Sequence, residues 1–582
     1  MNIKLLFILS AIFLIIMEGI RYREVNNQPA LELVNRQAVY KNKFIRQCSP
    51  DWNQLDADSL ADGIGVLPGW GSYRWHIHTD NDSAQFYFNQ GISMYYAFHI
   101  IEAMASFKKA QRFDENNAMI YWAQALAYGP NINDYSYAAT PGAFAAAQKA
   151  LSLYGSCTAK EKALITAMAI RYTAGSSISR SILNQQYADA MQHVYSQFPQ
   201  DADVATMYAD ALMLQHPWDY WKHNGNAQPW TPQLVEVLEK TLAIHPTHPG
   251  ANHYYIHSVE ASPHPEKAMA SADKLGSLMP QVSHMVHMPS HIYIRTGNYT
   301  KGLQVNELSI NGYNKYLSLY PGVKDNAFLY VFHTLHMLAA CALMKSNFTF
   351  SSQSAAACAA SFDTSYLSMP PPTGNFIQYL YASPLFNLVR FGKWDEVLAA
   401  AAMEERHVFA NTLWHWARGM AFARKNNINA AREELQLMQQ KMLHPDMQVV
   451  AEPFNAPVAA ANVAEKILAG VIAEGENKLS DAVGLLAAAA ASEDALIYNE
   501  PRDWLLPARQ YLGAVLLKTG NAAKAEKSFR EELKENPNNH WSLYGLYLAL
   551  NQQKKQTAAR LVKQQYLKAL KGAEMAGGVI VY

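Results

Sequence analysis

Apolar side chains recur along most of this chain at intervals of three and four residues, the spacing that lines one face of a helix. The helices so predicted also repeat. From residue 84, AQFYFNQGISMYYAFHIIEAMASFKKAQRFDENNA reads as two apolar-faced helices joined by a short turn. With Ala84 as position 1, Gly91 falls at 8, Ala103 at 20, Phe107 at 24 and Ala110 at 27. Small residues at these places let paired helices approach, and the aromatic fills the gap between one hairpin and the next. The following helix keeps the register, with Tyr121 34 residues after Tyr87 and Ala125 34 after Gly91. Near the other end Gly513, Ala525, Phe529 and Pro537 fall in the same register, and 386–400 and 415–435 are repeat-like. The pattern predicts an all-α chain, a right-handed α-solenoid of helix-turn-helix repeats.

Breaks in the periodicity divide it. GPNIN at 129–133 ends a helix and turns the chain. HPWDYWKHNGNAQPW (216–230) is a long aromatic loop of the kind that covers a binding surface, and its His216 and His223 lack helical spacing. Connections rich in Pro follow at 369–376 and 444–458, and YPGVKDN (320–326) lengthens another. YNEPRDW (498–504) leads into the final repeat; its Glu500 is within reach of a concave site, although a carboxylate at a helix N-terminus is the default reading. The expected organisation is a signal peptide or anchor at 1–25, a tether and cap at 26–83, a first repeat array at 84–368 and a second at 369–582.

Composition narrows the classes. Half the residues are hydrophobic and 16% charged, as in a folded chain. With 48 basic and 48 acidic residues and no long basic run, nucleic acid is excluded as the main partner, because phosphate binding needs clustered Lys and Arg. Leu5–Met17 is an apolar run of 13 residues with one Ser, the size of a signal-peptide core and short for a spanning helix. No clear A-x-A site follows it. The chain is therefore expected to be exported, either periplasmic or membrane-anchored and facing outward, and to meet a membrane only through that segment. Cys48, Cys157, Cys341 and Cys358 are scattered, without a C-x-x-C.

The 20 histidines change the picture most. His253 and His257 are four apart, as are His287 and His291; the second pair lies 34 residues after the first, and His284 stands one turn ahead of it. In repeat register, His253 and His257 take positions 5 and 9 and Glu260 takes 12. His284, His287 and His291 take 2, 5 and 9 of the next repeat, and His333 and His336 take 2 and 5 of a third. Helical i, i+4 imidazoles chelate transition metals such as copper, zinc or iron. Seven histidines with Glu260 exceed one tetrahedral site, so two or more metals are expected. Glu260 is placed to be a ligand, an orienter of a histidine Nδ1–H, or a general base. Met285, Met288 and Met337 would favour copper if they joined the site, although core packing is their default role. The chain has no G-x-S-x-G, no phosphate-binding G-x-x-x-x-G-K-[ST] and no H-E-x-x-H, so nucleophile-elbow, nucleotide and ordinary zincin chemistries lack support. What is left is a metalloprotein, as a metal-dependent hydrolase or oxidoreductase, or else a scaffold whose groove binds a peptide or protein without metal.

Over residues 84–550 the pattern resembles the tetratricopeptide repeat superfamily. More narrowly, AQFYFNQG, YWAQALAYGPNIN, HPGANHYYIHSVEAS, HMVHMPSHIYIRTGNY and YNEPRDW are similar to phrases in a group of bacterial exported tetratricopeptide proteins. In the superfamily, positions 2, 5, 9 and 12 of the first helix line the concave surface. The resemblance thus implies that His253, His257, Glu260, His284, His287, His291, His333 and His336 face one groove. Peptide-clamping members carry Lys, Asn and Arg there, so imidazole departs from the chaperone-docking pattern.

Overall fold

In this computed structural model the described residues are 50, 52, 55–133, 137, 139–175, 178–319, 328–451, 453–574 and 578–582. The segment 1–25, most of the first half of the 26–83 tether with Cys48, and the connection 320–326 lie outside them. Among the described residues there is no β-strand, only an isolated bridge between Trp221 and Ala227. Helices follow one another and pack chiefly against their chain neighbours. The chain is an all-helical α-solenoid of tetratricopeptide-like repeats.

Twelve helices are labelled here. The first three are α1 (Asp82–Tyr96), α2 (Ile100–Phe113) and α3 (Ala118–Ala127). The site is carried by α4 (Pro249–Val259), α5 (Ser283–His287), α6 (Pro289–Arg295), α7 (Tyr299–Leu319) and α8 (Phe328–Met344), followed by α9 (Phe348–Ala360). Near the C-terminus come α10 (Ala508–Lys518), α11 (Ala522–Glu535) and α12 (His540–Gln552), the last packed against a closing helix at Gln556–Leu570. Side-chain caps start many of them: Asn81 accepts from the N–H groups of Ser83 and Ala84 ahead of α1, and Asn117 from that of Met119 ahead of α3.

The repeat register has a direct physical expression. A Cβ on Gly91 would collide with the Phe107 ring, and one on Gly513 would collide with Phe529, whose ring also fills the space beside Gly545 of α12. The small residue of one helix thus admits the aromatic of the next. Phe529 is fully buried, and Phe529→Ala is expected to cost about 3–5 kcal/mol, read as a lower denaturation midpoint; an unchanged midpoint would contradict this packing.

Buried apolar side chains form four clusters, the two middle ones interleaved in sequence over residues 340–380. The array also closes on itself: Tyr299 Oη donates to Pro537 O (2.9 Å), Lys345 Nζ to Ala569 O (2.9 Å), and Thr349 N–H to the Glu574 carboxylate (2.7 Å). Tyr299, Lys345 and Thr349 are thereby held against the C-terminal end of the array.

The expectation of a membrane-anchored chain is corrected. No helix among the described residues is long and apolar enough to cross a membrane. The 21-residue α7 carries Lys301, Glu307 and Lys315, and the apolar α8 has 17 residues, short of the roughly 20 that a span requires.

Candidate metal centre

Local sequence places the histidines. His248 caps α4, its Nδ1 accepting from Ala251 N–H, and Pro249 occupies the first turn, where a missing N–H costs nothing. A Cβ on Gly250 would collide with the Tyr96 ring, so glycine there lets α4 approach the end of α1. That approach brings the backbone oxygen of Tyr96 to His253 Nδ1 at 2.6 Å. A carbonyl left over at a helix C-terminus is thus put to use. Pro289 follows α5, yet Met288 keeps helical torsions (φ −50°, ψ −36°), and the stripe His284–His287–His291 continues into α6.

Two histidine trios result. In the first, His253 Nε2 lies 3.0 Å from His257 Nε2 and 3.1 Å from His284 Nε2. In the second, His291 Nε2 lies 2.9 Å from His287 Nε2 and 3.1 Å from His333 Nε2. Within each trio one nitrogen per ring lies within 4.8 Å of the others. The trios adjoin, with the His257 and His291 rings 5.9 Å apart and those of His284 and His287 6.0 Å apart. His336 belongs to neither trio; its ring packs edge-on against Tyr379.

Glu260 ties the two together. Its Oε1 accepts from His257 Nδ1 (3.2 Å) and its Oε2 from His291 Nδ1 (2.7 Å). Glu260, His257 and His291 also form a third close group. There the carboxylate meets the Nδ1 edges, while the Nε2 edges point into the trios. Orientation of both rings, rather than first-choice ligation, is what this geometry gives Glu260. On the far side His287 Nδ1 donates to Asn306 Oδ1 (2.6 Å), and Asn306 Nδ2 donates to Gly302 O (2.8 Å), which fixes the amide's direction.

These partners set the protons. A carbonyl, a carboxylate and an oriented amide oxygen only accept, so His253, His257, His287 and His291 each carry hydrogen on Nδ1. In their neutral forms the Nε2 atoms then present lone pairs, the state that burial favours for His253, His257 and His287. Burial, with the neighbouring imidazoles, pushes His253, His284 and His333 well below the ordinary histidine value, and His287 to about 3. Burial also lowers His257. At His291 burial acts downward too, but Glu260 outweighs it and the value is raised. Burial would raise Glu260; the facing His291 and His257 instead hold it down to about 2, so it is a carboxylate.

The walls are apolar and tight. Phe98 adopts a left-handed backbone (φ 59°), and its ring lies 4.7 Å from that of His253 and 5.8 Å from those of His257 and His284. Trp218, from the aromatic loop 216–230, stands edge-on to His257 at 5.0 Å and donates Nε1–H to Ile132 O of the GPNIN turn. That loop does cover the histidines. His253 is fully buried, His284 is only 5% exposed and His333 is half-buried, so most of the stripe lies in the interior and not on an open groove. Met285 and Met288 sit in the apolar core, the role their sequence context favoured. Of the other histidines, His216 stacks on Trp230, His264 pairs with Glu266 at the surface, and His415 pairs with Glu434.

Sequence reasoning missed Tyr96 O, Asn306 and Phe98. Gly250 was the one signal for the first, since a glycine inside a helix pattern marks a close approach; nothing in the sequence marked the other two. Of the two readings of Glu500, the one at a helix N-terminus does not hold. It lies in the loop before α10, and the carboxylate at that helix's start is Glu493, whose Oε2 accepts from Ala508 N–H at 2.7 Å.

No protein-family model matches the chain, and no curated protein matches it. Solved structures do. A human IFIT1 dimer with m7Gppp-AAAA shares 13% identity over 89% of this chain and 94% of its own, at a TM-score of 0.30. Yeast Tom70 shares 11% over 84% and 92%, at 0.27, and the TPR domain of P58(IPK) 10% over 81% and 99%, at 0.22. Likenesses this distant say nothing of what the chain does.

Proposed function

We propose that this protein is a transition-metal protein whose two histidine trios, His253–His257–His284 and His287–His291–His333, each bind one ion through Nε2, with Glu260 as the shared outer-shell carboxylate. The observation that carries this reading is the contact between His253 and His257. Both rings have Nδ1–H committed to oxygen acceptors, and both Nε2 lone pairs face each other at 3.0 Å with no proton to place between them. Burying two such lone pairs head to head is unfavourable, and a cation between them removes the conflict. A tetrahedral zinc site with Zn–N near 2.0–2.1 Å sets its nitrogens ~3.3 Å apart, so the rings need spread only by a few tenths of an ångström.

The ligands suit zinc, copper or iron, since neutral imidazole serves all three. When bound, such a pair of ions supplies Lewis-acid or redox chemistry. The chain's own residues hold the ring orientations through Glu260, Asn306 and Tyr96, and exclude bulk water through Phe98 and Trp218. A metal-dependent hydrolase or oxidoreductase acting on a small molecule fits this enclosure. A peptide laid in a groove would need residues other than these buried histidines. In this reading the array 84–368 is the functional unit and 369–582 supports it.

Zinc titration of the metal-free full chain tests the proposal. Two equivalents are expected for the wild type and one for His253→Ala, with the second trio intact. Failure of the wild type to take up zinc, copper or iron at neutral pH would end the metalloprotein reading.

A further inference from the structure

We infer that Glu500 is the proton-carrying residue of the histidine centre, holding a proton while the centre is empty and releasing it when positive charge enters. The inference rests on the two-trio reading above. Glu500 comes from a loop more than 160 residues beyond the last of the six histidines in sequence, yet it is held firmly in place. Its N–H donates to Asn499 Oδ1 (2.9 Å), Asn499 Nδ2 donates to Asp503 Oδ1 (2.9 Å), and Asn455 Nδ2 donates to Asp503 Oδ2 (2.7 Å). The side chain lines a cavity shared with Arg295, Arg502, Trp504 and Glu535, with room for about two water molecules. Its Oε1 is buried and has no hydrogen-bond partner among the described residues. An orphaned carboxyl oxygen beside a water-sized cavity needs either a proton or a water.

The charges around it explain which. Arg295 closes the gap to the centre: its Nε donates to the backbone oxygen of Glu260 (3.1 Å) and its Nη1 to Glu535 (3.4 Å). Arg502 Nη2 donates to Glu535 at 2.6 Å. Both guanidiniums are therefore engaged with Glu535 and leave Glu500 poorly compensated. Burial first, and then the Glu260 carboxylate, push Glu500 up to about 8, against the opposing pull of His291, Arg295 and Arg502. The coupling is mutual, since Glu500 in turn raises His291. At neutral pH the carboxyl is protonated while the trios are empty. A dication at His291 adds positive charge on that side, so the carboxyl O–H bond breaks, the proton passes to cavity water and on to bulk buffer, and the carboxylate stays behind.

The test is calorimetric zinc titration of the full chain at pH 7 in two buffers of different ionisation enthalpy, which counts protons released. The wild type is expected to release about one proton more than Glu500→Gln while both bind two zinc ions. Equal proton counts with equal zinc uptake would overturn the role of Glu500 and leave the metal reading standing. No zinc uptake by the wild type would overturn both. A second readout needs no variant: zinc loading of the wild type should remove infrared C=O absorption from a protonated carboxyl, and a spectrum unchanged there would refute the inference even if Glu500→Gln fails to fold.

Discussion

Glu260→Gln is expected to leave one metal bound tightly and to weaken the other 10- to 100-fold, the usual cost of losing an outer-shell partner, roughly. The asymmetry follows from hydrogen-bond bookkeeping. The wild-type carboxylate accepts from His257 Nδ1 with one oxygen and from His291 Nδ1 with the other. An amide has one acceptor and one donor. Whichever ring meets the new NH2 must move its hydrogen from Nδ1 to Nε2, and so spends the lone pair that its trio needs. The ring facing the amide oxygen is unaffected. Glu260→Ala, by contrast, leaves both buried N–H groups without an acceptor, at about 1–3 kcal/mol each, and should weaken both sites together. Equilibrium dialysis against a metal buffer separates the cases. Two sites weakened equally by Glu260→Gln, or neither weakened, would show that Glu260 does not orient the trios.

Metal removal should destabilise the whole array. Ligands that bind only the folded chain stabilise it by mass action, about 4 kcal/mol for one site at a free concentration a thousand times Kd, hence roughly twice that for two sites. The trios join α4, α5, α6 and α8, so the effect should appear across all these helices and not at one loop. The metal-free chain also keeps the lone-pair conflict between His253 and His257. A large fall in Tm on chelation, restored by zinc, is expected. His253→Ala should remove about half of that fall, and a Tm indifferent to chelator would contradict the account.

Much of this architecture was legible in the sequence, because a repeat writes its packing rules many times over. Gly91 with Phe107 and Gly513 with Phe529 obey one register, and the structure shows each pair in contact. The grouping of His253, His257, His287 and His291 was legible for the same reason, since a 34-residue offset stacks equivalent faces; His284 follows as one turn of the same stripe, and His333 was counted across an insertion that breaks the period. What the register could not show is how far that face is covered. Phe98 and Trp218 come from turn and loop positions outside the repeat code, and both have left-handed backbones that no periodicity specifies. They turn an expected open groove into a closed centre. His336 shared the repeat position of His253 and His287, yet its ring faces Tyr379; its register was counted across the connection 320–326, where the period fails. Glu500 could be read from the sequence only as one of two possibilities, a carboxylate reaching the site or one at a helix N-terminus, because only tertiary closure brings its loop toward His291.

The most direct measurement is a crystal structure of the zinc-loaded full chain with anomalous scattering recorded at the zinc edge. The account predicts two peaks, one among the Nε2 atoms of His253, His257 and His284 and one among those of His287, His291 and His333, with Glu260 still bridging the two Nδ1 edges. A peak on the Glu260 side of His257 and His291, or none within either trio, would contradict it.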